Sequence, residues 1–211
     1  MTLVRKTVED AAIGVGVAST AEALSAIQHP GCAAVIWNRT LPTEMGETLA
    51  TINTGQLPSM RVILRPAIIR DSLRIACEDF EVEQRDTVDW LIEDVTALAE
   101  RFVKLMSAPY LRVRLEVVTT NACRKFHIDA VTARLICTYR GTGTQYGIST
   151  DGADPKRVFT VPTGAPVILR GTEWPANPPA GLLHRSPPID GTGETRLLLV
   201  LDPVFDSSEE I

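Results

Sequence analysis

The sequence predicts an α+β fold. We expect a mostly helical N-terminal region over residues 1–109, an antiparallel β domain over residues 110–205 and an acidic tail over residues 206–211. The apolar residues follow a helical period in the first half and change to short strand-like segments in the second, with glycine and proline turns between them. With 211 residues and 45% hydrophobic content, the chain is long enough to bury a substantial core.

Helices account for most of the predicted first half. A short helix is expected over Ala21–Ile27 and a second from Leu41 to about Ile52, with an apolar strand, Ala33–Trp37, between them. The clearest helix begins after Asp86 and ends before Pro109, and its apolar residues recur at alternating steps of three and four. We interpret this apolar stripe as the surface that packs the helical region onto the outside of the β domain.

The second half is predicted to form short strands. They are rich in Val, Ile, Leu, Thr and Tyr, and turn residues such as Gly141-Thr142-Gly143 separate them. Strands in this number with no helix between them predict an antiparallel sandwich or barrel. The predicted strands are Arg114–Thr120, Cys123–Ala130, Arg134–Arg140, Arg157–Val161, Val167–Arg170, Leu182–His184 and Arg196–Leu201.

Charge and composition exclude several classes of protein. The net charge is −5, whereas proteins that bind bulk nucleic acid usually show a basic surplus, so no such partner is expected. No apolar run approaches the ~18–20 residues of a membrane helix, and Ala11–Ala18 lacks the features of a signal peptide. The four cysteines show no CxxC spacing, and we predict free thiols in a cytoplasmic protein.

The three histidines carry the strongest functional signal. His29 lies in a Pro-Gly turn and is expected at the surface. His127 and Asp129 are two residues apart on a predicted strand, so both point to the same face, and His184 ends a later strand. Two imidazoles and one carboxylate are the ligands of a facial triad on Fe(II). The alternative, from the residues alone, is a core histidine hydrogen-bonded to a nearby carboxylate.

Two arginines are candidates for binding a co-substrate. Arg196 heads an apolar strand twelve residues after His184, and an inward-facing guanidinium there could pair with the carboxylate of a 2-oxoacid. The alternative for Arg196 is a surface ion pair with the adjacent Glu194. Arg134 is a second inward-facing candidate, and its alternative is an ion pair across strands.

The order of His127, Asp129, His184 and Arg196 resembles the non-haem Fe(II), 2-oxoglutarate-dependent oxygenases. The resemblance covers roughly residues 114–202. It implies a double-stranded β-helix, also called a jelly roll and similar to the cupin fold. It further implies that the two histidines and Asp129 bind Fe(II) and that Arg196 binds the far carboxylate of 2-oxoglutarate.

The same resemblance suggests further co-substrate contacts. In many members of the superfamily a tyrosine on the strand after His-x-Asp points at the co-substrate, so Tyr139 is a candidate. In one branch a serine two residues after the arginine also binds the co-substrate, and here that position is Leu198. Thr138, Tyr139 or another group would have to replace that serine.

A second resemblance spans nearly the whole chain. The strings Cys123–Asp129, Arg134–Gly141 and Gly181–Pro188 are similar to a bacterial family of domains of unknown function. Its members commonly have Gly-Pro-Gly-Thr-Glu-Trp after the second string, where this chain has the departing sequence Gly141–Tyr146. Genes of that family often neighbour metal-homeostasis GTPases, which implies a link to metals.

Together these observations predict an Fe(II)- and 2-oxoglutarate-dependent dioxygenase that oxidises, by hydroxylation, a small-molecule or peptide substrate. The alternative is a metal-binding accessory protein of zinc or iron homeostasis with the same fold and ligands but no redox chemistry. A third reading keeps the fold without any metal. The sequence predicts neither the substrate nor the oligomeric state.

Overall fold

Ten strands and three α-helices are present in the computed structural model, which describes residues 10–78, 80 and 84–206. The predicted acidic tail therefore lies outside the described residues beyond Asp206. The α-helices are α1 (Thr43–Thr51), α2 (Ile69–Ala76) and α3 (Arg85–Met106), and 3-10 helices span Glu22–Gln28, Thr54–Gln56 and Pro66–Ile68. The strands are β1 (Gly14–Ala18), β2 (Cys32–Trp37), β3 (Met60–Leu64), β4 (Tyr110–Val118), β5 (Ala133–Arg140), β6 (Gln145–Ile148), β7 (Phe159–Thr160), β8 (Val167–Arg170), β9 (Leu182–Arg185) and β10 (Arg196–Val204). None of the helices described has the length and apolar character needed to cross a membrane.

The strands form two sheets. The larger has seven strands in the order β1-β2-β8-β5-β10-β4-β3, and the smaller has three in the order β7-β6-β9. The larger sheet is mixed rather than antiparallel as predicted, because β1 runs parallel to β2. Parallel neighbours require a crossover connection, and the 3-10 helix Glu22–Gln28 provides it between these two strands.

The first half of the chain is not confirmed as mostly helical. It contributes β1, β2 and β3 to the same sheet as the strands of the second half. The sequence predicts β2 but misses the two edge strands. β1 is interrupted by Gly14 and Gly16, and β3 has only three consecutive apolar residues, Val62–Leu64, so neither shows a strong strand pattern.

The long helix α3 confirms the clearest sequence prediction. It ends at a left-handed Ser107 with φ of 53°, shortly before Pro109. Its apolar stripe packs on one face of the larger sheet, against residues of β10 that include Leu197, Leu199 and Leu201. This helix-side core contains Val88, Leu91, Val95, Leu98 and Phe102.

The opposite face of β10 looks toward the smaller sheet. Leu198 and Val200 belong to a second core that includes Leu182 of β9. Because successive strand residues alternate between faces, Arg196 and Asp202 lie on this inter-sheet face as well. Two charged side chains are therefore buried at the two ends of one strand, at 0% and 1% exposure.

The adjacent strand β5 follows the same division. Ile136 lies in the core between the sheets, so Arg134 and Thr138 share its face. Cys137 and Tyr139 lie in the helix-side core. The inter-sheet face of β5 and β10 thus carries three of the residues that the sequence predicts to be functional, Arg134, Thr138 and Arg196.

Candidate metal centre

The segment that carries His127 and Asp129 is an irregular loop. The strand predicted over Cys123–Ala130 is wrong, because only His127 forms a β-bridge there. Its backbone N–H donates to the carbonyl of His184, and the N–H of His184 donates to the carbonyl of His127, both at 3.0 Å. This single bridge places the loop beside β9 and brings the two imidazole rings to a centroid distance of 4.5 Å.

His127, Asp129 and His184 converge at one point. Their potential ligand atoms all lie within 4.8 Å of one another. Oδ2 of Asp129 is 3.0 Å from Nε2 of His184, and Oδ1 is 3.4 Å from Nε2 of His127. The three side chains that the sequence predicts as metal ligands are therefore neighbours, while His29 is exposed in its turn as expected.

The donor set fits a divalent metal ion. Oδ2 of Asp129 is buried and has no hydrogen-bond partner, although the His184 nitrogen is close. Two ligand atoms about 2.1 Å from one octahedral ion lie about 3.0 Å apart, which agrees with that separation. An ion at this point would satisfy the buried oxygen and receive two nitrogens and one oxygen, the ligands of a facial triad.

The tautomer of His127 is set by the main chain. Its Nδ1 lies 2.8 Å from the carbonyl oxygen of Lys125, which can only accept a hydrogen bond. Nδ1 therefore carries a proton, and Nε2 is the ring nitrogen that faces Asp129 and that would bind an ion there. A backbone carbonyl behind a ligating histidine is the common way to fix its orientation.

Electrostatics keep Asp129 and His184 in the protonation states that bind metal. Burial alone would raise the pKa of Asp129, but the neighbouring imidazoles of His127 and His184 and the charge of Arg134 lower it well below its usual value. Burial lowers the pKa of His184 despite the neighbouring carboxylate. The hydrogen bond with Asp129 raises the pKa of His127. The site thus holds an ionised carboxylate and a neutral His184, the forms that bind metal.

Backbone contacts with the segment after β8 position the loop of Asp129. The N–H of Thr172 donates to the carbonyl of Asp129 at 2.9 Å, and the N–H of Glu173 donates to that of Val131 at 3.2 Å. A Cβ at Gly171 would lie 1.7 Å from the carbonyl oxygen of Val131, so only glycine allows this approach. The sequence contains no recognisable signal for this contact, because it depends on two segments forty residues apart.

Arg196 is a buried arginine with one guanidinium nitrogen that donates no hydrogen bond. Its Nε donates to the carbonyl of Thr142 at 2.6 Å and its Nη2 donates to Oγ1 of Thr138 at 3.3 Å, whereas Nη1 has no partner. No carboxylate of the described chain forms an ion pair with it, and burial lowers its pKa to about 10. Glu194 accepts hydrogen bonds from Thr142 instead, so the surface ion pair considered as the alternative does not form.

Thr138 and Tyr139 point in opposite directions. Thr138 is buried beside Arg196 on the inter-sheet face, where the sequence predicts a co-substrate contact. Tyr139 projects to the helix side, where its hydroxyl donates to Oδ2 of Asp94 at 2.6 Å and its ring meets Trp90. The candidate role of Tyr139 in co-substrate binding is therefore corrected, because strand alternation carries its side chain away from the site.

Arg134 lies at the candidate metal centre. Its Nη1 is 2.5 Å from Oδ1 of Asp129, while Nε and Nη2 donate to the two oxygens of Asp202 at 2.6 and 2.8 Å. The ion pair across strands, which the sequence left open as the alternative to a co-substrate contact, is the arrangement found. Arg134 contacts a proposed metal ligand, not the surroundings of Arg196.

The metal centre opens to a cleft. This cleft has a volume of about 460 Å³ and is lined by the loop over residues 122–130, including the side chains of His127 and Asp129. Arg124 and Lys125 supply positive charge along it, and Asp129 is its only acidic lining residue among those described. A molecule in this cleft would lie beside His127 and Asp129.

Solved structures similar to this chain include dioxygenases. One is the dioxygenase for auxin oxidation 1 of Arabidopsis thaliana in its complex with 2-oxoglutarate, with 11% identity, a TM-score of 0.51 and coverage of 94% of this chain and 95% of that one. Another is the dioxygenase for auxin oxidation of rice, with 14% identity, a TM-score of 0.51 and coverage of 93% and 84%. At this identity the likeness shows a shared fold, the jelly roll that the oxygenase resemblance implies.

Sequence comparison gives the family. No curated protein matches the chain. A family model described as protein of unknown function (DUF1826) matches residues 18–202. This range includes the loop over residues 122–130 and the strands β5, β9 and β10, which carry the candidate site. The match covers most of the chain and agrees with the resemblance of the three sequence strings noted above. The chain belongs to the DUF1826 family.

Proposed function

We propose that this protein is an Fe(II)- and 2-oxoglutarate-dependent oxygenase with His127, Asp129 and His184 as its metal ligands. The observation that carries the proposal is the convergence of these three side chains around a buried carboxylate oxygen with no hydrogen-bond partner. Bound Fe(II) and 2-oxoglutarate would supply the activation of oxygen that the side chains of the chain cannot provide. The protein contributes binding, orientation and a buried environment.

Arg196 is the proposed partner of the far carboxylate of 2-oxoglutarate. A fully buried guanidinium without a carboxylate partner is costly, and an incoming dianion would offset that cost. Its unpartnered Nη1 leaves a donor for a bidentate pair, and the hydroxyl of Thr138 lies beside it as a further contact. The fold shared with a dioxygenase solved in complex with 2-oxoglutarate supports this assignment.

The substrate is proposed to be a small molecule or a peptide that enters through the cleft beside His127. The volume of about 460 Å³ suits a compact group and not a folded partner. Hydroxylation is the proposed reaction. The proposed location is the cytoplasm, as predicted from the sequence, and the free cysteines are consistent with it. The accessory-protein alternative, with zinc in the same site, receives no support from the comparisons.

Uncoupled turnover tests the proposed function. Purified protein with Fe(II), 2-oxoglutarate and oxygen should form succinate slowly even without substrate, and substitution of zinc for iron should abolish succinate formation. The variant His127→Ala should lose metal and activity together. If iron-loaded protein forms no succinate while metal analysis shows a full site, the oxygenase assignment is wrong.

A further inference from the structure

Asp202 is a buried carboxylate that joins two arginines. Its side chain is 1% exposed at the end of β10. Arg134 of β5 donates to its two oxygens through Nε and Nη2 at 2.6 and 2.8 Å. Arg114 of β4 donates to Oδ2 through Nη2 at 3.3 Å, which completes a stripe across three adjacent strands. The two bonds from Arg134 form a fork-like pair, which fixes the plane of its guanidinium.

The third nitrogen of that guanidinium reaches the metal centre. Because the group is planar and two of its nitrogens are held by Asp202, the direction of Nη1 is determined. Nη1 lies 2.5 Å from Oδ1 of Asp129. Oδ1 is therefore occupied by a cation, while Oδ2 has no hydrogen bond and lies 3.0 Å from Nε2 of His184.

We propose that Arg134, clamped by Asp202, is a positioning residue that holds Asp129 as a one-oxygen metal ligand. The inference rests on the metal site of the proposed function and assigns Arg134 a role different from the co-substrate contact predicted from the sequence. Occupation of Oδ1 prevents that oxygen from taking a second coordination position. The remaining positions on the ion stay open for other ligands.

Arg134 and Arg196, both on the inter-sheet face, thus have different roles. All three guanidinium nitrogens of Arg134 contact a carboxylate of the protein. Arg196 has no such partner among the described residues, and its Nη1 is free. Arg134 therefore binds carboxylates of the protein itself, including the proposed metal ligand Asp129. Of these two arginines, Arg196 is the one with a free donor for an external anion.

Metal binding to three variants tests the inference. Arg134→Met removes the clamp, Arg134→Lys keeps the charge but cannot hold Asp129 and Asp202 together, and Arg114→Met is the matched control because Arg114 contacts Asp202 and not Asp129. The readouts are Mn(II) affinity by calorimetry and the visible spectrum of the Co(II) protein. Outer-shell substitutions typically weaken metal binding about 10- to 100-fold, and we expect a loss of this size for both Arg134 variants, with an altered Co(II) spectrum.

The outcomes separate this inference from the proposed function. Wild-type affinity and an unchanged Co(II) spectrum in the Arg134 variants would overturn the positioning role while leaving the metal site intact. An equal loss of Mn(II) affinity in Arg114→Met would also overturn it, since any disturbance of the ion pairs around Asp202 would then have the same effect. Failure of the wild type itself to bind either ion would refute the metal site and the inference with it. If thermal melting shows that Arg134→Met does not fold, Arg134→Lys decides the result.

Discussion

At the scale of single residues, Arg196 and Asp129 each have a buried polar atom without a hydrogen-bond partner. Arg196 is a buried cation with an unpartnered nitrogen, and Asp129 is a half-buried anion whose buried Oδ2 has no hydrogen-bond partner. Buried polar groups without partners are rare in folded proteins because each costs free energy. The two unpartnered atoms lie on the same inter-sheet side. They indicate two separate ligands, an anion for Arg196 and a cation for Asp129.

The variant Arg196→Met should lose affinity for 2-oxoglutarate while retaining metal. Loss of one partner of a buried charge pair costs at least ~2 kcal/mol, so the dissociation constant should rise about 30-fold or more. Calorimetric titration of 2-oxoglutarate into the Mn(II)-loaded protein measures the effect. The control is Arg140→Met, since Arg140 donates to the carbonyls of Leu49 and Ile52 and not into the site. Equal affinity in wild type and Arg196→Met would show that the co-substrate binds elsewhere.

Cysteine reactivity gives a second prediction at this scale. Cys123 is exposed in the cleft loop, whereas burial raises the pKa of Cys77 to about 11 and that of Cys137 to about 12. A raised pKa keeps these two thiols protonated at pH 8, and the thiolate is the reactive form. Alkylation at pH 8, followed by mass spectrometry, should label Cys123 first. Labelling of Cys137 at the same rate would contradict its buried position.

At the scale of elements, a loop rather than a strand positions two of the three proposed ligands, while His184 lies on β9. His127 and Asp129 were predicted on a strand because Phe126–Asp129 alternates apolar and polar residues. The alternation is real, but the segment is joined to β9 by one bridge only. Sequence spacing could thus place the two side chains on one side without revealing the contacts with Gly171 and Thr172 that hold them there, because tertiary contacts leave no local pattern.

The close approach at Gly171 leads to an element-scale prediction. Gly171→Ala should displace the loop that carries Asp129, because the new Cβ would lie 2.8 Å from the carbonyl of Asp129 and closer still to Val131. We expect metal affinity to fall about 10-fold, as for other changes behind a ligand. Gly55→Ala is the matched control, since no atom lies within 4 Å of its added Cβ. Unchanged Mn(II) affinity in Gly171→Ala would show that the contact does not position the ligand.

At the scale of the whole molecule, the two halves of the chain share one sheet. β2 pairs with β8 and β3 pairs with β4, so strands of the first half cover both flanks of the strands from the second. The sequence could predict α3 and the strands β5, β8 and β10, whose apolar patterns are strong. It could not predict that the N-terminal strands join them, because edge strands are short, half-exposed and weakly patterned.

Because the two halves of the chain share one sheet and one helix-side core, we predict that residues 110–206 do not fold alone. Removal of residues 1–109 would expose the apolar face of β10 that packs against α3, and would turn β4 and β8 into unprotected edge strands, each with one neighbour lost. The truncated chain should aggregate or show no cooperative thermal transition by circular dichroism. A monomeric fragment with a cooperative melt and bound Mn(II) would instead establish an independent C-terminal domain.

The central claim is that His127, Asp129 and His184 bind an iron that also binds 2-oxoglutarate. Anaerobic addition of 2-oxoglutarate to the Fe(II)-loaded protein tests it most directly, through the weak visible charge-transfer band that forms when the co-substrate chelates the metal. We predict the band in the wild type and its loss in His184→Ala. A fully iron-loaded wild type without the band, or a band that persists in His184→Ala, would contradict the claim.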